Sequence, residues 1–228
     1  VTSRGDAGAE PAPEPESSPA LGWIAADVED EFPELALVTV EVPCRAVRTA
    51  PWVVHRLTQL ANRMTGAYAL RVRTLPVPAA HRAFHRQLGL DPDVDRPPLE
   101  EAVFRRLWTG GFVPAGMPAD ALLVALLETG VGVWAVDAAH VEGELGVRTS
   151  AAGETLGVGR AAAPLGEGEL VVADAARPLA RLLGPPPAAF AVTAETRRAV
   201  LYVLQVPGVP SMAVQEALNT ARDLLRIA

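Results

Sequence analysis

The stretch MPADALLVALLETGVGVWAVD, residues 117–137, decides how this chain is built. Pro118 opens an apolar run that ends at Thr129, and Gly130 stops it, the punctuation of a helix with proline at its start and glycine past its end. "VWAVD" follows at once, short, β-branched and apolar, as a buried strand reads.

The same punctuation recurs upstream. In "PWVVHRLTQLANRMTG" the residues Val54, Leu57, Leu60, Ala61 and Met64 recur at helical spacing from Pro51 until Gly66 ends the pattern. Pro78 to Leu88 before Gly89, and Pro98 to Trp108 before Gly110, read as two more helices. Ahead of them Leu35 to Val42, "LALVTVEV", predicts a strand.

Downstream of Gly130 the texture changes to short apolar runs set apart by Gly, Pro and Asp. "VWAVD", "LGVRT", "ELVVAD", "AFAV" and "AVLYVLQV" are the expected strands. An amphipathic helix from about Ser211 to Ile227 closes the chain, with Leu218, Ala221 and Leu225 on one side. Helices gathered before a mainly β region predict an α+β fold, a mixed sheet core with flanking helices, rather than a doubly wound sheet.

Residues 1–19, with "AEPAPEPESSPA" at their heart, hold almost no large apolar side chain and are expected to be a disordered acidic, Pro-rich arm. Residues 20–228 then form a single globular domain. Half of the sequence is hydrophobic, yet charges and prolines interrupt it before any window reaches the ~20 apolar residues of a membrane helix. The N-terminus lacks a basic region followed by an apolar core, so a soluble, cytoplasmic protein is expected. Cys44 is the one cysteine, which excludes an internal disulfide framework and a cysteine-rich zinc site.

All 20 basic residues are Arg, and their distribution says more than the net charge of −7. Residues 45–106 carry eleven Arg against five acids, whereas the segments on either side are acidic. Such a stretch either contacts phosphates or simply presents solvated helix faces. Arg82, Arg86, Arg105 and Arg106 are the leading candidates for RNA contacts.

Ala119 to Leu156 resembles the central part of the editing domain of the phenylalanyl-tRNA synthetase beta subunit. Asp120, Gly130, Asp137, Gly143, Arg148, Gly153 and Glu154 match that family's residues in order and spacing. "GELVVADAARPLARLLG" and "TAETRRAVLYVL" are similar to later segments of the domain, through Asp174, Glu195 and Thr196. Upstream, Gly89, Glu100 and Arg106 match the entry found in free-standing versions, so the resemblance spans about residues 80–207.

The resemblance implies tRNA or aminoacyl-tRNA as the partner, with no DNA, no membrane and no cofactor or metal. It further implies trans-editing, the hydrolysis of a mischarged aminoacyl ester, in a pocket for the amino acid and terminal adenosine. Asp137 and the backbone at Gly184, where the family's glycine-rich loop falls, would be the catalytic groups. Leu123, Trp134, Asp120, Arg148 and Glu154 would line the substrate site. Leu123 stands where the family has Asn and Trp134 where it has His, and neither side chain orders a water as those do. A non-catalytic module that binds a small ligand or tRNA in a degenerate editing pocket is therefore the alternative.

Each candidate also has a plainer role open to it. Asp120 and Asp137 sit beside turns, where Asp caps backbone amides. Arg148 and Glu154 can pair with each other, and Trp134 can fill the old pocket instead of stacking on adenine. His81 and His85 have the four-residue spacing of a metal pair but no third ligand at motif distance. Cys44, followed by Arg45 and Arg48, is either a low-pKa thiol or a buried inert one.

Overall fold

The computed structural model describes residues 18–226. All but the last two residues of the expected arm, and the Ile227 end of the last helix, lie outside the described residues. The helices are α1 (Ala26–Glu31), α2 (Pro51–Arg63), α3 (Gly66–Val72), α4 (Pro76–Gln87), α5 (Pro98–Thr109), α6 (Ala119–Thr129) and α7 (Ser211–Arg226). The strands are β1 (Ala20–Leu21), β2 (Trp23–Ile24), β3 (Ala36–Pro43), β4 (Trp134–Asp137), β5 (Gly146–Thr149), β6 (Thr155–Leu156), β7 (Ala163–Pro164), β8 (Leu170–Ala173), β9 (Pro178–Arg181) and β10 (Arg198–Gln205). The architecture is α+β, and no described helix is long and apolar enough to cross a membrane.

The strands form two four-stranded sheets where one mixed sheet was expected. One runs β1-β3-β10-β4, antiparallel throughout; the other runs β2-β5-β8-β9, with β2 parallel to β5 and the rest antiparallel. A two-stranded ribbon, β6-β7, stands beside them. The long pair β3/β10 spans Ala36↔Gln205 to Pro43↔Arg198. The division has a local cause: the chain crosses from β1 in one sheet to β2 in the other through Gly22, whose amide donates to Leu37 O at 2.8 Å. A Cβ on Gly22 would meet Leu145 O at 2.4 Å, so only glycine lets the two backbones pass this closely. One residue on, Trp23 lays its indole over Gly146 and donates Nε1–H to Glu144 O at 2.9 Å.

Two apolar cores result. The main one joins Leu37, Val40, Leu201, Val203, Val147, Val171, Val172 and Leu179 of the sheets to Phe32, Phe84, Phe190 and the α7 residues Val214 and Leu218. The second lies among helices: Val53, Leu57 and Leu60 of α2, Val72 of α3, Val103 of α5, Val124 and Leu127 of α6, and Leu224 of α7. In α2, Pro51 takes the first turn and the buried residues Val53, Leu57, Leu60 and Ala61 keep the expected spacing. Gly130 ends α6 at φ +80° while its amide donates to Leu126 O at 2.8 Å.

"AFAV" is not a strand. Residues 188–190 form a short 3-10 turn in which Phe190 N donates to Pro187 O at 2.9 Å. Pro185, Pro186 and Pro187 have no amide hydrogens to give a ladder, and Phe190 buries into the main core with His140 and Arg177 beside its ring. α1, α3, β1, β2, β6, β7 and β9 were not anticipated. α3 begins at Gly66, the residue read as the stop of α2, because Thr65 caps a new helix by accepting from Tyr68 N at 3.4 Å.

Candidate functional site

Asp137 ends β4 and is buried. Its Oδ1 accepts from Ala139 N at 3.0 Å and caps the turn at Ala138–His140, while its Oδ2 accepts a short hydrogen bond from Thr196 Oγ1. Thr196 Oγ1 in turn accepts from Thr193 N at 2.8 Å, so the carboxylate fastens the entry of β10 to the exit of β4. Nearby Cys44 is buried and its thiol is pushed up to about 11, by burial first and the charge of Asp137 second. It is protonated at neutral pH and a poor nucleophile. Beside this knot lies a cavity of about 420 Å³ bordered by Cys44, Arg45, Glu195, Thr196 and Arg197.

Asp120 is engaged inside the fold. It is 1% exposed, accepts from Ala115 N at 3.0 Å and Gly116 N at 3.1 Å, and takes a short hydrogen bond from Thr49 Oγ1. It binds the start of α6 to the preceding loop. Arg148 and Glu154, expected at the substrate site, pair with each other, Nη1 to Oε2 at 2.8 Å and Nη2 to Oε1 at 2.5 Å. That contact raises the guanidinium above its ordinary range and holds the carboxyl below its own.

Leu123 and Trp134 do not line one pocket. Leu123 packs on the helical core and Trp134 on the sheet core. Trp134 stacks on its cross-strand neighbour Tyr202 at a centroid distance of 5.8 Å and an interplanar angle of 20°. Its ring also covers Gly132, where a Cβ would come within 2.9 Å of the indole. The indole face expected for a substrate base is thus engaged by protein.

Gly184 lies elsewhere, on a cavity of about 730 Å³ between the α1 and α4 ends and the β8-β9 edge. Its amide is already donated to Arg181 O at 3.0 Å, which removes it as an oxyanion donor. Asp137 is not among the residues that line this cavity, so the two expected catalytic groups are not brought together. Phe32, Leu88, Leu90, Leu170, Leu182 and Leu183 supply apolar walls, a composition and size suited to a small molecule.

α4 gives the cavity two polar side chains, exposed Gln87 and buried His85, which is 3% exposed. Its Nδ1 lies 2.7 Å from His81 O, and because a carbonyl only accepts, Nδ1 carries the proton. Nε2 is left as an acceptor with no protein partner among the described residues. Burial is the main cause of a pKa below the ordinary histidine range, so the ring is neutral at pH 7. The spacing of His81, Phe84 and His85 on one face of α4, continued by Leu88 at its C-cap, carries this signal, which a search for metal pairs alone does not use. Among the described residues no group of three or more His, Cys, Asp or Glu is placed to hold a metal ion.

The arginines separate into two kinds. Arg82 is buried, with Nη1 donating to Glu100 at 2.9 Å and Pro92 O at 3.2 Å and Nη2 to Asp93 at 2.8 Å. It is a structural clamp between α4, the following loop and α5, with both terminal nitrogens engaged by protein, where a phosphate contact was expected. Arg86 and Arg105 are exposed, and Arg105 reaches back to Glu101 at 3.4 Å. Arg106 is half-buried. Comparison with protein-family models and with curated proteins finds no match to this chain.

Proposed function

We propose that this protein is a non-catalytic binding module related to the editing domain of the phenylalanyl-tRNA synthetase beta subunit, which takes the aminoacyl end of a tRNA, or an amino-acid-sized ligand, in the larger cavity. The observation that carries this reading is the cavity of about 730 Å³ beside Leu182, Leu183 and Gly184, near which the family's glycine-rich loop falls, with only Gly184 retained. The hydrolytic reading loses support at each expected group: Asp137 is held by Thr196 and Ala139, the Gly184 amide by Arg181, and Trp134 by Tyr202. Arg86 and Arg105 remain available to the phosphates of an RNA, and Arg106 in part.

The test is to incubate the protein with a panel of mischarged tRNAs, following amino-acid release and, separately, binding by filter retention. Binding without release is the expected result. Release at an enzymatic rate would overturn the reading, and so would absence of binding. Leu123→Asn combined with Trp134→His, which restores the family's residues, is expected to leave release undetectable, because the two positions serve different cores.

A further inference from the structure

The larger cavity carries a charge pattern that narrows its ligand, given the reading above that it is the binding site. Both of its cations are countered: Arg181 by Glu169, and Arg96 by Glu101 at 3.7 Å. Glu31 and Asp95 also line the cavity, and neither has a counter-ion among the described residues. The rim is therefore negative, while the one buried ring that enters from α4 offers an unprotonated acceptor, Nε2 of His85. An anionic group such as a phosphate or a free carboxylate would meet two uncompensated carboxylates and no donor at the histidine. A protonated amine meets complementary charge and gives His85 the hydrogen it lacks.

We infer that the cavity selects ligands bearing a free, protonated amine on an apolar or aromatic body, with His85 Nε2 as the acceptor that reads the amine and Glu31 and Asp95 as the charges that attract it. The apolar walls at Phe32, Leu88 and Leu170 take the body of such a ligand. An unblocked amino acid esterified or amidated at its carboxyl has this chemistry; an N-acylated one does not, and neither does a carboxylate of the same shape.

The experiment uses the whole chain and three probes at mildly acidic pH, where the amine is charged: phenylalaninamide, N-acetylphenylalaninamide and 3-phenylpropionate. Affinity is read by calorimetry and location by chemical-shift changes at Thr149, Gly168 and Leu182 to Gly184. Phenylalaninamide is expected to bind at this location at least about tenfold more tightly than either other probe, a difference of about 1.4 kcal/mol. His85→Gln, which keeps an acceptor, retains the preference, and His85→Phe removes it. Equal binding of all three probes overturns the inference, as does a preference that survives His85→Phe. The comparison of probes on the native chain decides the matter even if the Phe variant fails to fold. If no probe binds but a charged tRNA still shifts the Leu182 to Gly184 amides, the inference falls and the cavity reading stands. If nothing shifts them, both fall.

Discussion

Arg148 and Glu154 form a two-point ion pair across the turn from β5 to β6, with both terminal nitrogens of the guanidinium spent on one carboxylate at 2.8 and 2.5 Å. Glu154 Oε2 also accepts from Ala151 N at 3.0 Å, so the pair fixes the turn backbone as well as the side chains. Glu154→Ala should destabilise the fold by about 1–3 kcal/mol, the range for losing a hydrogen bond to a charged group. Because the Glu154 carboxyl is held below its usual range, chiefly by hydrogen bonding to Arg148, its contribution is complete above the ordinary glutamate pKa. That contribution is lost as pH falls through the depressed value. A double-mutant cycle with Arg148→Met, run by urea melts at neutral pH and again below pH 4, checks both points; a coupling that did not shrink at low pH would refute the sign.

Arg82 separates the structural from the solvent-facing arginines. Its side chain is 8% exposed and that of Glu100 is 10% exposed, so removing the guanidinium strands a carboxylate in a site already costly to ionise. Arg82→Ala should cost about 3–5 kcal/mol, the penalty for breaking a buried pair from one side. Arg86→Gln with Arg105→Gln should leave the melting temperature within about 2 °C of the parent and lower the salt dependence of the proposed tRNA binding by about two units of slope. Thermal melts and binding titrations at several salt concentrations measure the two effects, and equal loss of stability in both variants would show that the division is wrong.

The helices that begin at proline and end at glycine were legible because each stop is made within a few residues: Gly110 and Gly130 take the left-handed φ that ends α5 and α6. Trp23 over Gly146, by contrast, joins residues far apart in the chain, and no local pattern announces that a two-residue strand will pair with β5. The site was legible only in outline. Asp120 and Asp137 stand where a capping aspartate stands in any turn, and sequence spacing does not say whether the donors are backbone amides or a ligand. His85 was visible as a histidine four residues after another, but its tautomer depends on the His81 carbonyl, and the cavity it lines depends on a loop after β9 about a hundred residues away.

His81 makes the fold acid-sensitive. It is 2% exposed, neither ring nitrogen has a hydrogen-bond partner among the described residues, and its pKa is lowered to about 4 by burial first and by the His85 charge second. In the unfolded chain the ring titrates near 6.5, so below that pH the unfolded state binds a proton that the folded state refuses. Stability should be unaffected by this group above about pH 6.5 and should fall by about 3 kcal/mol between pH 6.5 and 4. His81→Leu fills similar space without the polar atoms, and should flatten that part of the profile while leaving stability at pH 8 equal or higher. Melts of both proteins across this range decide it; parallel profiles would mean that another group titrates.

The last prediction concerns the segment that holds the two sheets together. β1 pairs with β3, and two residues later β2 pairs with β5, so residues 20–25 contribute a strand to each sheet within one short run. Trp23 anchors it by lying on Gly146, where an added Cβ would fall 2.0 Å from the indole. Residues 1–19 carry no strand pairing in the described part and few apolar side chains to bury, so a chain starting at Ala20 should melt within about 2 °C of the parent. A chain starting at Ala26 loses both strands and the Trp23 contact, exposing the sheet edges at Leu37 and Val147, and should lose several degrees or fail to fold. Gly146→Val isolates the anchor without shortening the chain: the indole must leave its seat, at a cost of about 2–4 kcal/mol for the lost burial and packing. Trp23 fluorescence should then shift to longer wavelength in the valine variant while the far-UV spectrum stays that of an α+β protein. If Gly146→Val melts like the parent with unchanged emission, the clasp between the sheets does not run through Trp23.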